Sequence, residues 1–241
     1  MSSLPELAAG VEAVTFDCFG TLIDWESGIL GVLRLLCDRY GVKPMPADAD
    51  LLAMYARIEG QAEHGVYRTY REILAEVMQK LATDLGFQLA SADRSLLADS
   101  IENWPAFSDT AASLRALKTR YKVGVLSNID DDLFEGALPK LGLDSMGGLD
   151  LLVTAQQVSS YKPGHAHFDE ALRRLGIDKS KLLHIAQSQR HDVQPCNELG
   201  IRCVWVDRQR GSGGASGEFV ARPDHVVPDL ATLVRELGLS A

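Results

Sequence analysis

One stretch near the start of the chain decides the fold: Val11-Glu12-Ala13-Val14-Thr15-Phe16-Asp17-Cys18-Phe19-Gly20-Thr21-Leu22-Ile23-Asp24. Its apolar, β-prone first half ends in an acid and a Gly-Thr turn, which is typical of a buried parallel strand. Ligands of open α/β sheets bind beyond the carboxyl ends of the strands, so Asp17 is expected at the reactive edge. Position 19, two residues later, is Phe rather than a second acid.

The rest of the chain alternates between strands and helices. Apolar runs predict buried strands over residues 11–16, 122–126, 149–153, 182–186 and 203–206. Helical patterns separate the later strands, over residues 109–120, 131–141, 166–175 and 193–199. This alternation predicts an α/β fold with a doubly wound, Rossmann-like parallel sheet that is covered by helices on both faces.

Residues 25–104 interrupt this alternation, because they show helical periodicity and no convincing strand. We interpret them as an all-helical cap subdomain inserted after the first strand. Residues 1–24 and 105–241 then form the catalytic core. A cap in this position would exclude water and complete a pocket. A helical subdomain with only a packing role is the alternative.

Composition limits the classes of partner. The 241 residues carry a net charge of −9, which argues against a nucleic-acid partner. No apolar run approaches the roughly 20 residues that cross a membrane, and from the N-terminal residues we expect no signal peptide. The four cysteines have neither metal-type nor CxxC spacing, so we expect free thiols in a cytoplasmic protein.

Four short polar segments follow predicted strand ends. They are Asp17 with Thr21, Ser127-Asn128, Lys162 in Ser-Ser-Tyr-Lys-Pro-Gly, and Gln187-Ser188-Gln189-Arg190-His191-Asp192. Because parallel strands bring their carboxyl ends together, we expect the four segments to converge. Any one of them could be an ordinary turn or surface segment, but all four on one sheet edge favour a site.

This order of motifs resembles the haloacid dehalogenase (HAD) superfamily of hydrolases: Asp-x-x-Gly-Thr-Leu-x-Asp, then Ser-Asn, Lys-Pro and a terminal acid. Within the superfamily the chain is most similar to the type II 2-haloacid dehalogenases. Those enzymes have an aromatic residue where Phe19 stands, and they have Ser-Asn in the second motif.

The chemistry of two side chains supports this subdivision. Phosphatases of the superfamily need an acid at position 19 for the leaving alkoxide and a carboxylate at position 187 for Mg²⁺. Phe19 cannot transfer a proton, and a neutral Gln187 is a poor ligand for a hard dication. A halide leaves as a stable anion and needs neither. We therefore expect a hydrolase without metal or cofactor, which converts a small 2-haloalkanoic acid to the 2-hydroxy acid through an aspartyl ester.

The proposed mechanism gives each catalytic residue a role. Asp17 is expected to attack the carbon, and Lys162 to keep Asp17 ionised. Asp192 would pair with Lys162 and position or deprotonate the water. Thr21 and Ser188 would orient Asp17 and Lys162 by hydrogen bonds.

The substrate-binding candidates surround these residues. Ser127 and the backbone N–H groups near Cys18 and Phe19 are expected to hold the substrate carboxylate. Asn128 and the Phe19 ring would line the side of the leaving group, and Arg57 is the candidate for binding the halide. Arg57 could equally be a solvated helix residue.

The chain also departs from the dehalogenase pattern. Gln187 and Gln189, both substrate-binding candidates, stand where those enzymes carry Ser-x-Asn, and Phe168 stands where they carry Tyr. We interpret His165, His167, His184 and His191 as turn and helix-start residues rather than as metal ligands.

Three other functions stay open: a Mg²⁺-dependent phosphatase, a hydrolase that opens a strained C–N bond beside a carboxylate, and a non-catalytic protein that binds a small anion or partner. The expected partner is a small carboxylate substrate, with neither nucleic acid nor membrane. The resemblance also makes a homodimer reasonable.

Overall fold

The computed structural model describes residues 3–209 and 221–240. Its centre is one sheet of six parallel strands: β1 (Ala13–Phe16), β2 (Lys122–Ser127), β3 (Leu151–Thr154), β4 (Leu182–Ala186), β5 (Arg202–Val206) and β6 (His225–Val227). They lie in the order β3-β2-β1-β4-β5-β6. This is the doubly wound order, so the predicted fold class is confirmed.

The register of the sheet explains why the polar segments meet. Phe16, the last residue of β1, lies opposite Val125 of β2 and Ile185 of β4. The chain therefore leaves these three central strands at one edge. All four residues of β1 are buried, as a strand covered on both faces requires.

Eleven α-helices lie in the described part of the chain, and several of them connect the strands. They are α1 (Leu4–Leu7), α2 (Trp25–Arg39), α3 (Asp48–Ala62), α4 (Tyr70–Asp84), α5 (Leu96–Ser100), α6 (Thr110–Lys118), α7 (Asp131–Ala137), α8 (Ala155–Val158), α9 (Ala166–Leu175), α10 (Gln194–Leu199) and α11 (Leu230–Glu236). Helix α9 has the predicted bounds. The sequence did not predict β6, which has only three residues and follows Pro223.

Helices α2 to α5 make up residues 25–104 together with two short 3₁₀ turns, and no strand interrupts them. We call this stretch the helical segment. Its interior is formed by apolar side chains at helical spacing, including Leu33, Leu36, Leu51, Ile58, Leu74 and Val77. The division of the chain into a core and a cap stays a prediction.

The helical segment contacts the polar edge of the sheet at a defined point. The buried carboxylate of Asp130, which follows β2, accepts the backbone N–H groups of Tyr70 and Arg71, each at 2.9 Å. The Tyr161 hydroxyl donates to the carbonyl of Arg68 at 2.9 Å. These bonds fasten the start of α4 to the loops beyond the strands. In the described ranges, none of the helices combines the length and apolar character needed to cross a bilayer.

Candidate active site

Asp17 is the first residue after β1, and it is 8% exposed. The Thr21 hydroxyl donates to Asp17 Oδ2 at 3.0 Å, and the Thr21 N–H donates to the carbonyl of Cys18. Gly20 in this turn has a φ of +98°, and a Cβ atom there would lie 3.2 Å from the side-chain oxygen of Gln187. Both the backbone angle and the close approach favour Gly. The turn thus holds the carboxylate at the sheet edge.

The ammonium of Lys162 joins the two acids of the site. Lys162 Nζ donates to Asp17 Oδ1 at 3.0 Å, to Asp192 Oδ1 at 2.6 Å and to the carbonyl of Leu126 at 2.8 Å. The Lys162 side chain is 1% exposed, so these contacts replace water around the charge. An ammonium has three N–H bonds, and each has an acceptor.

Charge and burial shift the ionisation of all three groups. Burial raises the pKa of Asp17, and the Lys162 ammonium opposes that rise. Burial alone would also raise the pKa of Asp192, but Lys162 and His184 outweigh it and lower this pKa far below its usual value. Burial alone would lower the pKa of Lys162, yet the two carboxylates raise it above its usual value. Asp192 and Lys162 are therefore an ion pair at neutral pH.

The Asn128 side chain fixes the backbone of Lys162. Asn128 Oδ1 accepts the Lys162 N–H at 2.7 Å, and Asn128 Nδ2 donates to the Lys162 carbonyl at 3.0 Å. Asn128 also lines the cavity. Its amide nevertheless binds the chain that presents the lysine, a contact that the sequence did not predict.

The segment after β4 supplies the remaining predicted residues. The Gln187 N–H donates to the Thr21 hydroxyl at 2.9 Å and thereby supports the contact between Thr21 and Asp17. The Ser188 hydroxyl accepts the N–H of His191 at 3.1 Å within its own turn. Gln189 receives the N–H of Ala221 at 3.5 Å and is not among the described residues that line the cavity.

A cavity of about 360 Å³ lies between the sheet edge and the helical segment. The sheet side contributes Asp17, Phe19, Ser127, Asn128, Lys162, Gln187, Ser188, Arg190, His191 and Asp192. The helical segment contributes Trp25, Ile29, Ala53, Tyr55, Ala56, Arg57, Glu59, Glu63, Tyr70, Ile101 and Trp104. The structure therefore brings most of the predicted site residues to one space that is large enough for a small molecule.

The other substrate-binding candidates occupy different surroundings. The Phe19 ring meets Trp104 edge-on, with ring centroids 5.6 Å apart. Ser127 is 1% exposed, and its hydroxyl has no hydrogen-bond partner among the described residues. Cys18 is fully buried. Arg57 lines the cavity, but its guanidinium pairs with Asp84 at 2.6 Å and its side chain is 53% exposed.

Two acids of the cavity wall were missed in the sequence. Glu59 lies on α3 and Glu63 directly follows the end of that helix; the Tyr70 hydroxyl donates to Glu59 Oε1 at 3.0 Å. Burial raises the pKa of Glu59 to about 7, against the opposing effects of Tyr70 and Arg190. Burial and the nearby Glu59 also raise the pKa of Glu63 well above its usual value. Glu59 and Glu63 follow Tyr55 at intervals of four residues, which places the three side chains on one face of a helix. This spacing was the signal in the sequence that could have indicated the two acids.

The donor set does not fit the Mg²⁺ ion of the phosphatase alternative. Lys162 already occupies one oxygen of Asp17 and one of Asp192, and Thr21 occupies the other oxygen of Asp17. Gln187 adds only a neutral amide to this edge, whereas Mg²⁺ prefers carboxylate and water oxygens in octahedral geometry. Residues 3–209 and 221–240 hold no group of three or more His, Cys, Asp or Glu suited to a metal.

Comparison with known proteins agrees with this geometry. The chain is 25% identical over 231 residues to an (S)-2-haloacid dehalogenase of Pseudomonas putida, covering 92% of this chain and 95% of that protein. It is 29% identical over 207 residues to (S)-2-haloacid dehalogenase 4A of Burkholderia cepacia, covering 83% and 84%.

A solved structure shares the fold. It is L-2-haloacid dehalogenase from Xanthobacter autotrophicus with chloropropionic acid covalently bound, which matches with a TM-score of 0.76 at 20% identity and covers 93% of this chain and 97% of that one. The sequence model of the haloacid dehalogenase-like hydrolases matches residues 14–206. With the motifs, the sheet order and this match in agreement, the chain belongs to the haloacid dehalogenase-like hydrolase family.

Proposed function

We propose that the protein displaces halide from a small 2-haloalkanoic acid and releases the 2-hydroxy acid. The observation that carries this proposal is the buried contact of Lys162 with both Asp17 and Asp192, beside a residue 19 that cannot supply a proton. The (S)-2-haloacid dehalogenases that resemble this chain over most of its length support the proposal.

The first step forms an ester on Asp17. One carboxylate oxygen of Asp17 bonds to the carbon beside the substrate carboxylate, and the halide leaves with the electron pair of the breaking bond. Lys162 favours the ionised nucleophile, because its ammonium opposes the effect of burial on the Asp17 pKa. The halide needs no proton, so Phe19 at the adjacent wall is compatible with this step.

The second step restores the enzyme. A water oxygen attacks Cγ of Asp17, and the proton of the water passes to Asp192. The bond between Cγ and the ester oxygen then breaks, and Asp192 passes its proton to the departing oxygen, which becomes the hydroxyl of the product. The second hydrogen of the water, left on the Asp17 carboxyl, is released to solvent as a proton, so Asp17 returns to its ionised form. The product hydroxyl therefore takes its oxygen from Asp17, and Asp17 takes a new one from water.

Substrate binding rests on the buried side of the cavity. The Ser127 hydroxyl is directed to the substrate carboxylate, together with backbone N–H groups near Cys18 and Phe19. The helical segment serves as the cap, and Phe19 and Trp104 supply an apolar surface for the leaving group. The cytoplasmic location and the homodimer expected from the sequence stay predictions.

A substrate panel tests the proposed reaction. Halide release from chloroacetate, bromoacetate, fluoroacetate and both enantiomers of 2-chloropropionate is measured beside phosphate release from an aryl phosphate, with and without EDTA. We expect halide release that EDTA does not reduce. Magnesium-dependent phosphate release without dehalogenation would overturn the proposal.

Two further measurements test the covalent step. In a single turnover in H₂¹⁸O, the first product should carry unlabelled oxygen and Asp17 should gain the label. Asp17→Asn should abolish turnover, whereas the matched change at an exposed acid, Asp169→Asn, should not. Label that enters the product without passing through Asp17, or full activity of Asp17→Asn, contradicts the ester mechanism.

A further inference from the structure

His184 is a fully buried imidazole behind the candidate active site. It lies in the middle of β4, opposite Thr15 of β1, and is neither a turn nor a helix-start residue. Its Nδ1 atom is 2.9 Å from the Thr15 hydroxyl, and its Nε2 atom is 3.0 Å from Asp192 Oδ1. The Phe168 ring packs edge-on against the imidazole at 5.0 Å between centroids. The ring is thus held on several sides.

The partners of His184 decide where its hydrogen lies. Asp192 is ionised and can only accept, so the hydrogen must be on Nε2 and point to Oδ1. Thr15 has a hydroxyl that can donate to Nδ1. This assignment gives a hydrogen-bonded row from Thr15 through His184 to Asp192.

The same carboxylate oxygen receives two donors. Asp192 Oδ1 accepts from Lys162 Nζ at 2.6 Å and from His184 Nε2 at 3.0 Å. Asp192 Oδ2 is buried and has no hydrogen-bond partner among the described residues. Rotation of the carboxylate would break both contacts to Oδ1, so its orientation is set by two groups, one in the loop before α9 and one in β4.

We infer that His184 is a positioning residue that turns Asp192 so that Oδ2 receives the proton of the hydrolytic water. The inference rests on the proposed function, because it concerns hydrolysis of the Asp17 ester. Attack by Asp17 on the substrate needs Lys162 but not this orientation of Asp192. Loss of the His184 contact should therefore slow the second step and leave the first step nearly unchanged.

Two substitutions at one position separate the hydrogen bond from the packing. His184→Gln keeps an N–H donor near Nε2, whereas His184→Leu keeps much of the volume and removes the donor. With 2-chloropropionate, His184→Leu should release about one equivalent of halide in a fast burst and then turn over about 10- to 100-fold more slowly. Mass spectrometry should detect the Asp17 ester in that variant. His184→Gln should restore most of the turnover and remove the ester.

Two further variants keep the test decisive. His165→Leu, at an exposed histidine paired with Glu198, is the matched control and should leave both steps unchanged. Thr15→Val retains His184 but removes the hydroxyl that bonds to its Nδ1 atom, and it should slow hydrolysis of the Asp17 ester. This variant tests the inference if His184→Leu does not fold. Equal slowing of halide release and hydrolysis, or a slow variant without ester, would overturn the inference alone. No halide release by the wild-type protein would overturn the proposed function and this inference together.

Discussion

Lys162 Nζ lies 3.0 Å from Asp17 Oδ1, although 145 positions separate the two residues in the chain. Lys162→Met would leave the buried carboxylates of Asp17 and Asp192 without their shared cation. We expect the free energy of unfolding to fall by about 3–5 kcal/mol and turnover to be lost, because unpaired buried charges are strongly unfavourable. Urea unfolding followed by circular dichroism measures the first effect.

The matched control for this change is Lys181→Met, which removes an exposed ion pair with Glu12. Exposed pairs contribute about 0–1 kcal/mol, so this variant should unfold almost like the wild type. Equal losses of stability in the two lysine variants would contradict the importance of the buried pair.

The contact of Asp130 with α4 predicts a second loss of stability. Asp130→Ala would leave the N–H groups of Tyr70 and Arg71 without their acceptor, and we expect a loss of about 1–3 kcal/mol. The neighbouring Asp132→Ala removes only an ion pair between Arg71 and an aspartate that is 57% exposed. Hydrogen exchange should show faster opening at the start of α4 in the Asp130 variant alone. Unchanged exchange there would refute the prediction.

The raised pKa of Glu59 predicts a stability that depends on pH. Below about pH 4.5 the carboxyl is protonated in both states, so ionisation has no effect on folding. As the pH rises to about 7, the unfolded chain loses this proton first and the folded state is disfavoured. Glu59→Gln should therefore be more stable than the wild type by about 3 kcal/mol at pH 8, with little difference at pH 4.

Glu72 serves as the control, because its pKa is shifted in the opposite direction to that of Glu59. The Thr69 side chain and backbone lower the pKa of Glu72, so its ionised form stabilises the folded state. Glu72→Gln should lose stability at pH 8 relative to pH 4. Unfolding curves of both variants at the two pH values check the prediction, and a Glu59→Gln difference that does not change with pH would disprove it.

The four cysteines are buried, which predicts that they are protected from thiol reagents. Burial raises the pKa of Cys18 far above its usual value, so its thiolate is not accessible at pH 8. The native protein should react with less than one equivalent of a thiol reagent over the time in which the unfolded protein reacts with four. Rapid labelling of one thiol in the native state would contradict the burial of these side chains.

The strand ends were the most informative part of the sequence. A buried strand can be recognised from a local run of apolar residues that ends before a polar segment. The strand β4 has the bounds that this pattern predicts. The convergence of Asp17, Lys162 and Asp192 followed from the parallel order of the strands. Asp17 directly follows β1, and Lys162 and Asp192 lie in the segments that follow β3 and β4, so the predicted strands were enough to place all three at one edge of the sheet.

Other contacts depend on loop geometry that local pattern does not contain. Asn128 binds the backbone of Lys162 across 34 positions, and Asp130 binds α4 across about 60. His184 fits an apolar strand as a buried residue, and only the register with Thr15 gives it a role. Glu59 follows an amphipathic helical pattern in which an acid normally faces solvent. In this protein the side chain of Glu59 instead lines the cavity beneath the helix.

One ammonium between two carboxylates also determines the charge of the site during a turnover. Before reaction, Asp17 and Asp192 together carry one negative charge more than Lys162 neutralises. In the proposed reaction, formation of the ester would remove the charge of Asp17, and the departing halide would carry it into solvent. In this buried triad the covalent enzyme is therefore the electrically balanced state, and hydrolysis must return the excess negative charge to the protein interior.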